Sequence, residues 1–175
     1  LVTHFHYMFY GCEFLKYLDV SNFNTISMDC IHNMFNGCKK LTSLDLSNFN
    51  TQTVINMQSM FQNCSSLTSL DLSSFSTQNG GFMGHLFGWC SNLESIKFSE
   101  NFKTNNVENI DGIFENCAKL TTLDLSSFSM ENAEVCHSMF YGCNSLESLD
   151  LSHISSNLCQ TTENMFNGWN KLTSL

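Results

Sequence analysis

A cysteine returns every 26 residues along this chain of 175, and that period limits what the chain can fold into. Cys12, Cys38, Cys64, Cys90, Cys117 and Cys143 each open a unit, and Trp169 holds the same place in a last, shortened one. The step is 27 only between Cys90 and Cys117. The extra residue falls in Ser99-Glu100-Asn101-Phe102, where other units read Ser-x-Phe. The unit at Cys38 continues with Leu41, Leu44-Asp45-Leu46-Ser47, Phe49, Thr51 and Met60-Phe61, and the unit at Cys64 repeats those offsets. A unit this short cannot bury an apolar face alone, so units stack and bury it on one another. The expectation is one array over 1–175: a partial unit 1–11, units 12–37, 38–63, 64–89, 90–116, 117–142 and 143–168, and a partial unit 169–175.

The array begins and ends inside a unit, at Leu1 and at Leu172 to Leu175, with no polar cap in view. Either flanking units continue it, or apolar ends such as Phe5, Phe9, Leu172 and Leu175 meet other copies. Apolar residues make up 42% and charged residues only 13%, so solubility rests on Ser, Thr, Asn and Gln with a net charge of -9. That balance argues against nucleic acid, which demands clustered Lys and Arg. No apolar run is long enough for direct membrane insertion of this segment, and no signal peptide or lipid-attachment motif is visible.

Each unit changes period halfway. Leu44-Asp45-Leu46-Ser47 alternates, as do 70–73, 123–126 and 149–152, which predicts a short strand with one buried face. The second half places Val54, Met57, Met60 and Phe61, and likewise Val107, Ile110, Ile113 and Phe114, at helical spacing. Asn50 or Thr51 would then cap a short helix, and Gly11, Gly37 and Gly142 would end one. Gly80-Gly81 would loosen the third helix.

The run Leu-Thr-Ser-Leu-Asp-Leu-Ser-Asn-Phe-Asn-Thr at 41–51, followed by Met-Phe-x-x-Cys-x-x-Leu, resembles the BspA-like leucine-rich repeat surface proteins, the 26-residue type of bacterial surface proteins and mycoplasma lipoproteins. The resemblance spans essentially the whole chain. The expected fold class is α/β: a leucine-rich-repeat-like solenoid of about six repeats, with a parallel sheet on one face and short helices on the other. The resemblance implies display outside the cell or at its surface. As an expectation it also implies adhesion to, or binding of, a protein or glycan on a host or neighbouring cell. It carries over no catalytic residue and no cofactor. Lys97 in place of the strand Asp, and Trp169 in place of the last Cys, depart from the pattern.

In a stack, equivalent residues form columns. Cys12, Cys38, Cys64, Cys90, Cys117 and Cys143, flanked by apolar positions, read as an inward column of free thiols, because parallel Cβ vectors suit a disulfide poorly. Cys136 and Cys159 fall in apolar columns and read as core, while Cys30 is the least constrained thiol and the one expected to be reactive. Without a Cys-x-x-Cys step, no metal site is expected. Asp19, Asp45, Asp71, Asp124 and Asp150 share an outward offset, flanked by serines such as Ser47 and Ser73, and Lys97 interrupts the row. Like carboxylates at strand spacing repel by about 1 kcal/mol even in water. The column is either an acidic, hydroxyl-lined face for a basic partner or cations, or a solubilising surface that blocks wrong contacts.

His6 and His32 share an offset in adjacent units, as does His137; a surface metal pair is conceivable, but a lone pair is a weak signal and solvated side chains are the favoured reading. Cys136-His137 is a poor nucleophile pair if helical, since neighbours diverge by about 100°. No phosphate loop or nucleophile elbow occurs. Trp89 and Trp169, at the turn before or at the repeat cysteine, read as fillers of an end or edge gap, and an exposed one could anchor a partner. The chain therefore reads as non-enzymatic: an interaction or adhesion module, with a spacer or end-to-end filament block as the alternative. The strand-face columns are monotonous, whereas the opposite side varies, with Gln58, Gly84, Asp111, His137 and Glu163 at one offset.

Overall fold

Residues 4–152, 154, 158–159, 161–171 and 173–174 are described in the computed structural model. Leu172 and Leu175, named above as open ends, lie outside them. Successive units lie over one another in parallel. A line of single bridges runs from His4 to Cys30, Asn56, Phe82, Asn109 and Val135, one residue per unit.

The helices expected in the second halves are absent among the described residues, and this corrects the α/β expectation. Backbone geometry explains it. Asn33, Ser59 and His85 share a column with φ of 57°, 56° and 53°, a left-handed conformation that stops a right-handed helix after one turn. Gly37, Asn63 and Trp89 repeat this four residues later, with φ of 79°, 60° and 63°. Amide direction then alternates. In the second unit, Ile31, Asn33, Phe35 and Gly37 donate their N–H to the carbonyls of Asn56, Gln58, Met60 and Gln62 in the next unit, at 2.8–3.0 Å. The residues between close local turns instead: Met34 to Ile31, Asn36 to Asn33 and Cys38 to Phe35, at 3.0–3.2 Å. The backbone is satisfied half by the neighbouring unit and half by three-residue turns, so no i→i−4 ladder is needed.

The sheet is also smaller than expected. Among the described residues only β1 (Ser69–Leu72) and β2 (Ser95–Phe98) form strands, paired in parallel with Asp71 opposite Lys97. The other alternating segments run over one another without a continuous ladder. They still put alternate residues inside: Leu46, Leu72 and Leu125 are buried, and Asp45, Asp71 and Asp124 are exposed.

The core is one continuous cluster from Phe5 to Met165. At its centre Phe9, Phe35, Phe61, Phe87, Phe114, Phe140 and Phe166 stack face over face, with centroids 5.5–5.9 Å apart. Stacked rings at this spacing contribute dispersion and about 0.5–1.5 kcal/mol per pair beyond burial alone. Thr51, expected to cap a helix, instead clamps two units. Its buried hydroxyl donates to the Ser76 carbonyl and accepts from the Ser76 N–H, both at 2.8 Å. Thr104 holds Ser129 the same way, at 2.6 and 2.7 Å. Gly81, expected to loosen its segment, donates across units to the Ile55 carbonyl at 2.9 Å. A Cβ on Gly168, at φ 89°, would lie 3.2 Å from the Gly142 backbone, so at that position glycine is favoured.

Candidate functional site

The cysteine column lies inside at Cys38, Cys64, Cys90, Cys117 and Cys143, all buried and unpaired. Each thiol donates to the carbonyl of a phenylalanine 29 or 30 residues earlier, as Cys90 does to Phe61 at 3.0 Å and Cys117 to Phe87 at 3.2 Å. Trp169 makes the same bond, its Nε1 donating to the Phe140 carbonyl at 2.6 Å, which explains how it replaces cysteine. Burial pushes these thiols up, Cys38 to about 11 and Cys143 to about 12, with Cys64, Cys90 and Cys117 held well above the usual 9.0. Neutral thiols of this kind are poor nucleophiles. Cys12, expected inward with the others, is exposed. Cys136 and Cys159, expected as core thiols, are joined in a disulfide with Cα atoms 6.2 Å apart. Their units lie over one another at offsets that differ by three, so the two side chains approach diagonally rather than in parallel.

The aspartates face solvent, but each carboxylate has a local partner. Oδ1 of Asp19, Asp45, Asp71, Asp124 and Asp150 accepts the N–H of the serine two residues on, at 2.9 Å each time. Ser47 and Ser73 are thus turn residues in a repeated Asp-x-Ser motif. Hydrogen bonds from the serine hold Asp19 and Asp45 below the usual carboxylate value, outweighing for Asp45 the repulsion of Asp19 and Asp71. Asp71 drops to about 2, through Ser73 first and then Lys97, whose Nζ lies 3.1 Å from Oδ2. Between Asp45, Ser47, Asp71 and Ser73 lies a shallow depression of about 340 Å³.

Regularity breaks where the extra residue enters. Glu100 and Asn101 swing out after β2 and leave a concavity of about 680 Å³ with Lys97, Lys103, Asp124 and Ser126 on its walls. Phe98, standing where the other units carry leucine or, at Val20, valine, is half-buried at its edge and packs on Phe102 and Phe128, with centroids 4.6 and 5.3 Å away.

A second cluster lies on the variable side. Asp111 faces His85, Oδ2 to Nε2 at 3.4 Å, and His137, Oδ1 to Nδ1 at 3.1 Å. Glu115 Oε2 lies 3.1 Å from His85 Nδ1, which is buried and makes no hydrogen bond there. Sequence reading placed Asp111 and His137 in one column but missed His85 and Glu115. Trp89 is 47% exposed on this side.

Stacked 26-residue units around a phenylalanine ladder define a repeat protein of the leucine-rich kind. In fold it is similar to a leucine-rich cell surface protein of Faecalibacterium prausnitzii, with a TM-score of 0.57 and 19% identity over 89% of this chain and 36% of that one. The chain therefore spans about a third of that solved protein. Its sequence matches the family described as "Mycoplasma protein of unknown function, DUF285" over residues 3–98 and again over 83–174, and the chain belongs to that family. The BspA-like resemblance read from the repeat stands on these two findings. No match is found among curated proteins.

Proposed function

We propose that this chain is a non-catalytic interaction module displayed at a cell surface, and that it binds a protein or glycan at the break in its repeat. One observation carries the reading: the concavity beside Glu100 and Asn101 is the place where an otherwise uniform polar face gains depth and both signs of charge. A recognition surface needs features that fix register, and identical columns supply none. Lys97 and Lys103 present cations, Glu100 and Asp124 present carboxylates, and Phe98 adds apolar area between them. The kinship with a leucine-rich cell surface protein supports the placement outside the cell. The acidic columns flanking the break would steer a partner with basic groups toward it rather than hold it, because their carboxylates are already engaged by serine N–H groups.

The test is binding of the labelled chain to epithelial cell surfaces and to an array of glycans, alongside Lys97→Asp. That substitution restores the column residue of the other units and removes one cation from the break. Specific binding that Lys97→Asp weakens at least tenfold supports the reading. No saturable binding at micromolar concentration, or equal binding by the variant, overturns it.

A further inference from the structure

Three soft or borderline metal donors meet at the edge of the first two stacked units. Cys30 Sγ, a ring nitrogen of His32 and a ring nitrogen of His6 all lie within 4.8 Å of one another. His6 and His32 come from adjacent units, and their rings lie parallel with centroids 4.9 Å apart. Cys30 Sγ is 2.7 Å from His32 Nδ1. The bridge between His4 and Cys30 keeps this segment extended, so residues two apart share a face and Cys30 and His32 point the same way. All three side chains reach solvent in part, which gives an ion a way in.

We propose that Cys30, His32 and His6 form a zinc-binding site that ties the first unit to the second. One thiolate and two imidazoles are a donor set that zinc takes in tetrahedral geometry, and carboxylate-preferring ions such as calcium or magnesium do not. Tetrahedral bonds of about 2.3 Å to sulfur and about 2.0 Å to nitrogen set donor separations near 3.5 Å, which rotation of the Cys30 and His32 side chains reaches from the present spacing. The fourth corner faces solvent and takes water. Two neighbours add to the case. Asp29 Oδ1 is buried without a hydrogen-bond partner among the described residues, an uncompensated acceptor beside the cluster. The other oxygen of Asp29 lies 3.6 Å from His4 Nε2, and the His4 ring lies 5.7 Å from that of His6. As the metal–sulfur bond forms, the thiol S–H bond breaks and its proton leaves to solvent, so the complex carries one charge fewer than the free ion.

Titration of the metal-free, reduced chain with cobalt(II), followed by displacement with zinc, tests the assignment. Expected is one ion per chain, with a thiolate-to-cobalt charge-transfer band and the visible absorption of a tetrahedral centre, both lost on adding zinc. Cys30→Ser should abolish the thiolate band. His6→Gln, at an exposed position where folding is not at stake, should weaken binding at least tenfold. Cys12→Ser should change neither. Absence of the band in the parent chain, its survival in Cys30→Ser, or equal affinity in His6→Gln overturns the proposal. So does cobalt binding without a thiolate band that is lost in His137→Gln, which would place the ion at the Asp111 cluster instead.

Discussion

Raising the pH should unfold this protein steeply, and the buried thiol column sets how steeply. A thiol whose folded pKa is raised contributes stability that is complete below its unfolded pKa and is lost as pH climbs above that value. Cys64, Cys90, Cys117 and Cys143 are all fully buried and are the thiols that desolvation pushes furthest above 9.0. Above about pH 9 the unfolded chain ionises these groups while the folded chain keeps them protonated. Each then costs about 1.4 kcal/mol per pH unit, so four give a slope of about 5–6 kcal/mol per unit. By pH 10.5 the loss is about 8 kcal/mol, comparable with the whole stability of about 5–15 kcal/mol expected of a folded domain. Urea titrations followed by circular dichroism at half-unit steps from pH 7 to 11 should show a plateau up to about pH 9 and collapse by about pH 10.5–11. Cys90→Ala should lower the plateau by about 1 kcal/mol, through its lost hydrogen bond and volume, and flatten the slope by about a quarter. A stability flat through pH 10.5, or prompt reaction of all these thiols with a disulfide reagent in the native protein at pH 8, would refute the reasoning.

Other expectations follow from the same packing. Phe87→Ala opens the middle of the ring stack between Phe61 and Phe114 and should cost about 3–5 kcal/mol in urea unfolding, whereas Phe14→Ala, at an exposed position, should cost little. Thr104→Val keeps the shape but leaves the Ser129 N–H and carbonyl unpaired, for a loss of about 1–3 kcal/mol; a neutral result would mean that water replaces the clamp. At the acid end the sign reverses. Asp19, Asp45 and Asp71 have depressed pKa values, so their contribution is present above the usual 3.8 and fades as pH falls toward about 2. Melting temperature should therefore drop between pH 4 and 2, and by less in Asp71→Asn.

The cysteine, leucine and aspartate columns were legible because recurrence at one offset needs no knowledge of backbone conformation. Their roles were not equally legible. Asp45-Leu46-Ser47 was read as a face, yet the serine two residues on, in every unit with the aspartate, is the signature of a side-chain-closed turn. Thr51 was read as a cap because a helix was expected after it. Its recurrence as Thr25, Thr77 and Thr104 at buried sites marks a clamp between units instead. The Cys136–Cys159 pairing gave no signal, because neither residue recurs. The Cys30 cluster was half seen: His6 and His32 shared a column and Cys30 stood out as the least constrained thiol, but on the expected helix residues 30 and 32 would point about 200° apart, so nothing joined the thiol to the histidines.

Apolar residues at i, i+3, i+4 and i+7 do not by themselves demand a helix. In Ile31, Met34, Phe35 and Cys38 the same spacing arises from two successive turns, each reset by a left-handed residue at Asn33 and Gly37. The discriminating signal lies in the polar positions between them. The columns at Asn33 and Gly37 are mostly Gly, Asn and Ser, residues that enter the left-handed region readily or favour turns, and that are poor choices for a helix interior. The distinction has consequences for function. A helix would spread neighbouring side chains around a cylinder. Here the alternating inter-unit bonds lay residues of one offset directly over one another, so the variable column from Gln58 to Glu163 becomes a continuous surface that brings Asp111 and His137 into contact, with His85 reaching Asp111 from the adjoining column. A single substitution in such a column touches residues 26 positions away, which lets a uniform scaffold acquire local sites without altering its core.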